Sequence, residues 1–439
     1  VLVTGAALEL EDATILATTE TDREFDPETF VPGSVRLGTG ANESSARGDE
    51  APLGIVTNSV SFVRSTAAAS TLGAADAGDV TVKAFGGPVD IDESQLLTTT
   101  GVVDLGGEEF DPSATGDAGD ILVRGAQVRL SNNSLITAQT GGQGEAGSVE
   151  VIGGRLVSAS GVDGDPIDET PRSVTISSES RTSTSGAAGS VSMTGGSIDL
   201  EDAQILATTE SSSAAGDIVL ESTESPDENE DSGVSLERSQ VRTDAAETDG
   251  GDIQVLTNEA PVDLRDSQIV ASAGASGTGG NIGIGSGPTT ENPTAPLEPV
   301  GQTTLQKSQI LARAVEGNGG QIDIFIADGE LLIQDSQSLI SADSQLGNDG
   351  EVNINQPDID LNTAIRQQNV EVKTPPQLQA NACSPAGREN PSTFVQEGAG
   401  GGGERPVSLL LPHASCPPRP PSSPARRCRS PARCDRRRR

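Results

Sequence analysis

A cassette of alternating residues recurs about nine times between Gly33 and Leu361, and it restricts the possible folds more than any other feature. Each copy opens with a glycine and a small or polar residue and continues through two short apolar alternations. It closes with Ser-Gln-Ile-x-Ala or a near variant. One compact copy runs Gly119-Asp120-Ile121-Leu122-Val123, then Gln127-Val128-Arg129-Leu130, then Ser134-Leu135-Ile136-Thr137-Ala138. Alternation with a period of two is the signature of strands. Three short strands and three turns per unit describe one coil of a parallel β-solenoid, which holds surfaces apart or presents them.

The opening glycines are Gly33, Gly78, Gly119, Gly147, Gly189, Gly216, Gly251, Gly280, Gly320 and Gly350, at intervals of 27 to 45 residues. The short units leave room for three strands and their turns; the long ones insert a polar loop, such as Glu221 to Ser232 or Gly285 to Gln302. Solenoids tolerate such insertions because a loop projects outward without disturbing the stack. Duplication is explicit in one pair of segments: Leu8 to Glu20 recurs as Ile198 to Glu210, with ten of thirteen positions identical.

The alternation assigns faces. Inward-facing positions are expected at Ile121 and Val123, Val149 and Val151, Ile253 and Val255, and Ile322 and Ile324 in the opening strands. In the second strands they are Val128 and Leu130, Ile198 and Leu200, and Val262 and Leu264; in the third, Ile136 and Ala138, Ile205 and Ala207, Ile269 and Ala271, and Ile310 and Ala312. The residues between are mostly polar and are expected to face solvent. About ten coils at about 4.8 Å each give a shaft roughly 50 Å long.

Composition fits a narrow, repetitive interior. The 439 residues include seven Phe and no Tyr or Trp, the large anchors of a compact globular core. The net charge of −37 argues against nucleic acid and anionic membrane as partners, since both need basic surfaces. No stretch approaches the roughly 20 apolar residues that span a bilayer. The repeat region contains no cysteine, which suits a chain threaded unfolded through an oxidising periplasm. The chain starts at Val1-Leu2-Val3 without a signal peptide and reads as entering mid-cassette, with its export signal upstream.

Four segments follow from this organisation: the shaft over 1–361, a linker with Pro375-Pro376 over 362–380, a short mixed segment over 381–399, and a Gly/Pro/Arg-rich tail over 400–439. The last 24 residues carry nine Arg and one Asp, which is +8 and leaves −45 on the other 415 residues. Such a segment buries no core and is expected to be disordered. Its abrupt change of composition is also what a slipped reading frame produces.

Parallel β-helices include polysaccharide lyases and hydrolases, so a catalytic reading is the alternative to a rod. Paired carboxylates at defined spacing carry that chemistry. Acidic pairs occur at Asp90 and Asp92, Glu201 and Asp202, and Asp358 and Asp360, but Trp and Tyr are absent as sugar-stacking platforms, and the one histidine, His413, sits in the tail. Solvated faces account for these acids, and no catalytic or cofactor-binding residue is assigned. For calcium, Asp227, Asn229 and Asp231 place oxygens at positions 1, 3 and 5 of a loop like that of an EF-hand. The glycine comes one residue late, at Gly233, and Arg238 stands where a bidentate Glu belongs. These three residues are a weak calcium candidate and no dedicated metal site is expected. Cys383, Cys416, Cys428 and Cys434 lack the spacing of a metal finger, and the cassette glycines precede strands rather than helices, so they are not phosphate cradles.

The cassette resembles the filamentous haemagglutinin-like exoproteins of cyanobacteria and related bacteria. The nearest copies are Gly250 to Val255 with Leu264 to Ala271, and the unit from Gly319 to Ala342. Gly350 to Ile354 followed by Pro357 to Leu361 looks like that family's last coil, and Cys383 with Ser392 to Val395 is similar to its closing motif. The resemblance covers about residues 1–397; the chain departs from it over Gly400 to Pro406. It implies a right-handed parallel β-helix shaft, secreted through an outer-membrane two-partner transporter and displayed at the cell surface. There it would act as a non-catalytic structural or adhesive rod toward matrix, polysaccharide or a neighbouring cell. The family pattern supplies no catalytic residue to transfer.

Overall fold

In the computed structural model the alternation becomes a parallel β-solenoid of ten coils without helices among its described residues, which are 2–4, 7–19, 35–39, 59–101, 111–161, 173–223, 232–258, 260–286, 299–327 and 330–355. The linker, the mixed segment and the tail (362–380, 381–399 and 400–439) lie outside them. Every strand pairing is parallel and joins equivalent strands of successive coils.

Each of the ten coils supplies an opening, a middle and a closing strand, and Glu351–Asn355 adds the opening strand of an eleventh. The ten closing strands, from Thr14–Thr19 to Leu339–Ser341, form one sheet; the opening and middle strands share a second, of eighteen strands. Opening strands pair only with opening strands and middle with middle, and the two stacks join through three strands that run through both. In these three coils the first turn shrinks, because opening and middle strands fuse into Ile121–Ser131, Val149–Ser160 and Val191–Glu201. The register slips at Gly125 and again at Gly153, so a β-bulge replaces the corner. At the start, Leu2–Thr4 pairs with Val35–Thr39, the opening strand of the next coil.

The expected inward pairs form the core. Ile121, Val123, Val128, Leu130, Ile136 and Ala138 are at most 1% exposed, and the corresponding residues of the other coils join the same cluster. The row over Ala207, Thr243, Ala271 and Ala312 is uniformly small. It faces the glycine corner, where Thr243 Oγ1 donates to the Gly251 carbonyl and Ser178 Oγ to that of Gly147. The row ending the closing strand is hydroxylic in the second to sixth coils, at Thr71, Thr100, Thr140, Ser180 and Thr209.

The opening glycine is required by close approach rather than by its own dihedrals. A Cβ on Gly280 would lie 1.9 Å from the Gly251 carbonyl oxygen, and one on Gly147 2.0 Å from that of Gly119. Beside this column a polar ladder runs up the stack: Asp79 Oδ1 accepts from the Asp120 N–H, Asp120 Oδ1 from Ser148, and Asp252 Oδ1 from Asn281.

The corner between middle and closing strands has a different design. In most coils a residue takes positive φ there, among them Asp12, Arg64, Asp202, Arg238, Asp266 and Lys307, at 47° to 50°. The residue that follows is usually serine, and those serines form a buried ladder. Ser65 N–H donates to Ser94 Oγ, Ser239 to Ser267, Ser267 to Ser308 and Ser308 to Ser338.

One sequence expectation needs correction. Positions between the inward pairs are not uniformly solvated: Ala68, Leu97, Thr137, Ser177 and Leu311, all outward on the closing sheet, are at most 4% exposed. Residues stacked one rung apart shield one another, and Thr137 and Ser177 share a hydroxyl–hydroxyl bond of 2.7 Å.

Candidate functional site

Among the described residues, the acidic pairs picked out from the sequence are engaged with partners in neighbouring coils. Asp90 meets Arg129 across the stack at 3.2 Å, while Asp92 Oδ1 accepts from Ser131 Oγ and Asn132 Nδ2 of the next coil. Glu201 and Asp202 both hold Arg238, Asp202 through Nε and Nη2 at 2.9 Å each. Glu237 completes that cluster. The Asp202 carboxylate, bonded to the guanidinium, raises its pKa above the ordinary arginine value. Arg64 repeats the arrangement on Glu11 and Asp12, and its hydrogen bonds hold the Asp12 carboxyl below the usual range. These acids tie coil to coil. Asp358 and Asp360 lie outside the described residues.

The calcium candidate residues Asp227, Asn229 and Asp231 also lie outside the described residues. The flanking positions have structural roles: Gly233, with φ of 136°, starts a middle strand, and Arg238 is the corner cation just described. Among the described residues no group of three or more potential ligand side chains is placed to hold a metal. His413 and the four cysteines fall outside them too.

What the structure does assemble is a groove of about 670 Å³ on the outer face of the closing sheet, across Gln240–Ala245, Gln268–Ala273, Gln309–Ala314 and the segment Asp343 to Gln345. Three rows cross it in register. The first is Gln240, Gln268 and Gln309, one glutamine per coil, whose side-chain amides have no hydrogen-bond partner among the described residues. The second is Arg242, Val270 and Leu311, with Leu311 on the floor at 2% exposure. The third is Asp244, Ser272 and Arg313, with Asp343 one step beyond through the bridge of Ala314 to Ser344.

Electrostatically the groove is balanced, with two guanidinium and two carboxylate groups. Arg242 is paired with Asp244, which also accepts from Ser272 Oγ at 2.7 Å. Asp244 and Asp343 stand three strand positions apart, about 14 Å along the stack. That exceeds the roughly 5 to 9.5 Å between the carboxylates of glycoside hydrolysis, so this pair is not built for that chemistry. The groove was not visible in the sequence reading, although Ser-Gln-Ile, its first-row signature, was.

No family model matches the chain, and neither a curated protein nor a solved structure does. The fold and groove define the class on their own: an acidic parallel β-solenoid many of whose polar residues serve coil-to-coil stacking, with a charge-balanced groove on the side of its described residues. Among the described residues no helix is long and apolar enough to cross a membrane.

Proposed function

We propose that this chain is a secreted or cell-surface structural and adhesive rod of the filamentous haemagglutinin type, non-catalytic, and passed outward by an outer-membrane two-partner transporter. The observation that carries the reading is the engagement of its polar side chains in stacking: serine ladder, aspartate ladder and corner ion pairs all join neighbouring coils. A shaft built this way holds its coils in fixed register. The cysteine-free repeat and the excess of acid suit a protein folding outside the cell. The expected partners are matrix, polysaccharide or a neighbouring cell surface, with nucleic acid disfavoured by charge.

The test is surface labelling. An antibody raised against residues 59–355 should stain intact source cells without permeabilisation, and staining that needs permeabilised cells overturns the reading. Incubation with polysaccharides addresses the enzymatic alternative, the carbohydrate-active lyase or hydrolase. New reducing ends or unsaturated products would replace the rod with that enzyme.

A further inference from the structure

We propose that the groove over Gln240, Gln268 and Gln309 binds an uncharged, hydroxyl-rich polysaccharide lying along the stack. The proposal rests on the reading of the chain as an extracellular adhesive rod and gives that rod a ligand class. Three properties of the groove carry it.

The first is the amide row. Each glutamine side chain offers two N–H donors and one carbonyl acceptor, a set that matches vicinal hydroxyls, which also donate and accept. The three amides are in register, one per rung at about 4.8 Å, and none is committed to a partner among the described residues. A polymer with a hydroxyl-bearing unit at each step can meet the row repeatedly, so weak single contacts accumulate.

The second is the floor. Val270 gives an apolar surface beside the amides, with Leu311 almost fully buried next to it in the same row. A sugar ring turns its C–H face to such a surface while its equatorial hydroxyls reach the polar rows. In a chain with no Tyr or Trp, this surface takes the place of an aromatic platform.

The third is charge, which selects among polymers. The chain carries −37 overall and repels a polyanion on approach. Within the groove, Arg242 is already neutralised by Asp244, and Arg313 lies in register beside Asp343. The local sum is zero, which suits a neutral chain and offers a uronate no net attraction. An extended peptide could also use the amide row, and competition by a soluble peptide is one outcome of the test.

The purified full chain is applied to an array of neutral polysaccharides (glucan, mannan, xylan, galactan) and of polygalacturonate, at low and at high salt. Binding to at least one neutral polymer is expected, unchanged by salt and not displaced by a Gln- and Ser-rich peptide. The double variant Gln268→Ala with Gln309→Ala should weaken it about tenfold, with circular dichroism and thermal melting unaltered. Gln268→Glu, nearly isosteric, should weaken it as well, which guards against a packing effect in the alanine variant. Binding only to polygalacturonate, displacement by the peptide, full binding by both variants, or a blank array overturns the groove assignment. Beads coated with the chain separate this failure from that of the rod: a blank array with adherent beads removes the groove alone. A blank array with inert beads removes the adhesive reading too.

Discussion

The backbone N–H of Ser239 donates to Ser267 Oγ at 3.0 Å, and that hydroxyl donates in turn to the Arg265 carbonyl at 2.8 Å. One buried side chain thus satisfies a donor in the preceding coil and an acceptor in its own, at the corner where residue Asp266 takes positive φ. The closing motif begins with serine because a hydroxyl there replaces a backbone bond that the turn cannot make.

Replacing Ser267 with alanine should therefore cost about 2 kcal/mol, the penalty of leaving buried polar groups unpaired. Ser192, half-buried on the outer face of an opening strand, is the control, and Ser192→Ala should change stability by less than about 0.5 kcal/mol. Chemical denaturation of both variants measures the difference. Equal stabilities would remove the ladder from the account of the fold.

The glycine column makes a steeper prediction. An alanine at Gly280 would place its Cβ 1.9 Å from a backbone oxygen of the coil below, whereas at Gly154 the nearest atom is 3.7 Å away. Gly280→Ala should destabilise by about 3 kcal/mol, since the backbone of a stacked coil has little room to move. Gly154→Ala should be close to neutral. Urea midpoints at equal slope decide between these values, and similar midpoints for the two variants would contradict the close-approach argument.

Much of the coil was legible in the sequence. The inward pairs, such as Ile269 with Ala271, were readable because alternation is local and needs no knowledge of the neighbouring coil. The corners were harder. Ser267 looks like any polar turn residue, and only its contact with Ser239, 28 residues away, makes it a core element. The fusion of opening and middle strands in Ile121–Ser131 was missed for a related reason: Gly125 reads as a turn but serves as a bulge. The groove lay further still from a linear reading. Gln240, Gln268 and Gln309 are separated by 28 and 41 residues, so no fixed period aligns them. Aligning the Ser-Gln motifs across cassettes would have put them in one row. Their lack of partners depends on the surrounding side chains and could not have been read.

Arg238 allows a test of how much the corner ion pairs contribute. Its side chain is about one-third exposed and meets Glu201, Asp202 and Glu237, so solvent and salt screen part of the attraction. Arg238→Gln should lower stability by about 1 kcal/mol at low ionic strength. The loss should shrink in 1 M salt, as melting at two salt concentrations would report. A loss independent of salt would assign the role to packing of the arginine stem instead.

The acidity of the shaft predicts an unusual pH profile. Asp252 titrates above its ordinary value, first through burial and then through the neighbouring Asp217 charge; burial also raises Asp199 and Glu221. For these groups the folded state takes up a proton at higher pH than the unfolded chain. Folding is thus penalised at neutral pH and relieved as pH falls through the raised folded value toward the ordinary carboxylate value near about 4. Asp12 and Asp335 behave oppositely, held low by the Arg64 and Ser338 hydrogen bonds; their stabilisation is present above the ordinary value and disappears as pH falls through the lowered folded value. The melting temperature should therefore rise from about pH 7.5 to about pH 5 and fall again below about pH 3. Asp252→Asn keeps an acceptor for the Asn281 N–H, bonded at 2.8 Å in the parent chain, and removes the charge. It should raise the melting temperature at neutral pH and flatten the gain on acidification. A melting temperature that falls steadily from pH 7.5 to pH 5, in parent and variant alike, would show that the lowered carboxylates dominate the profile.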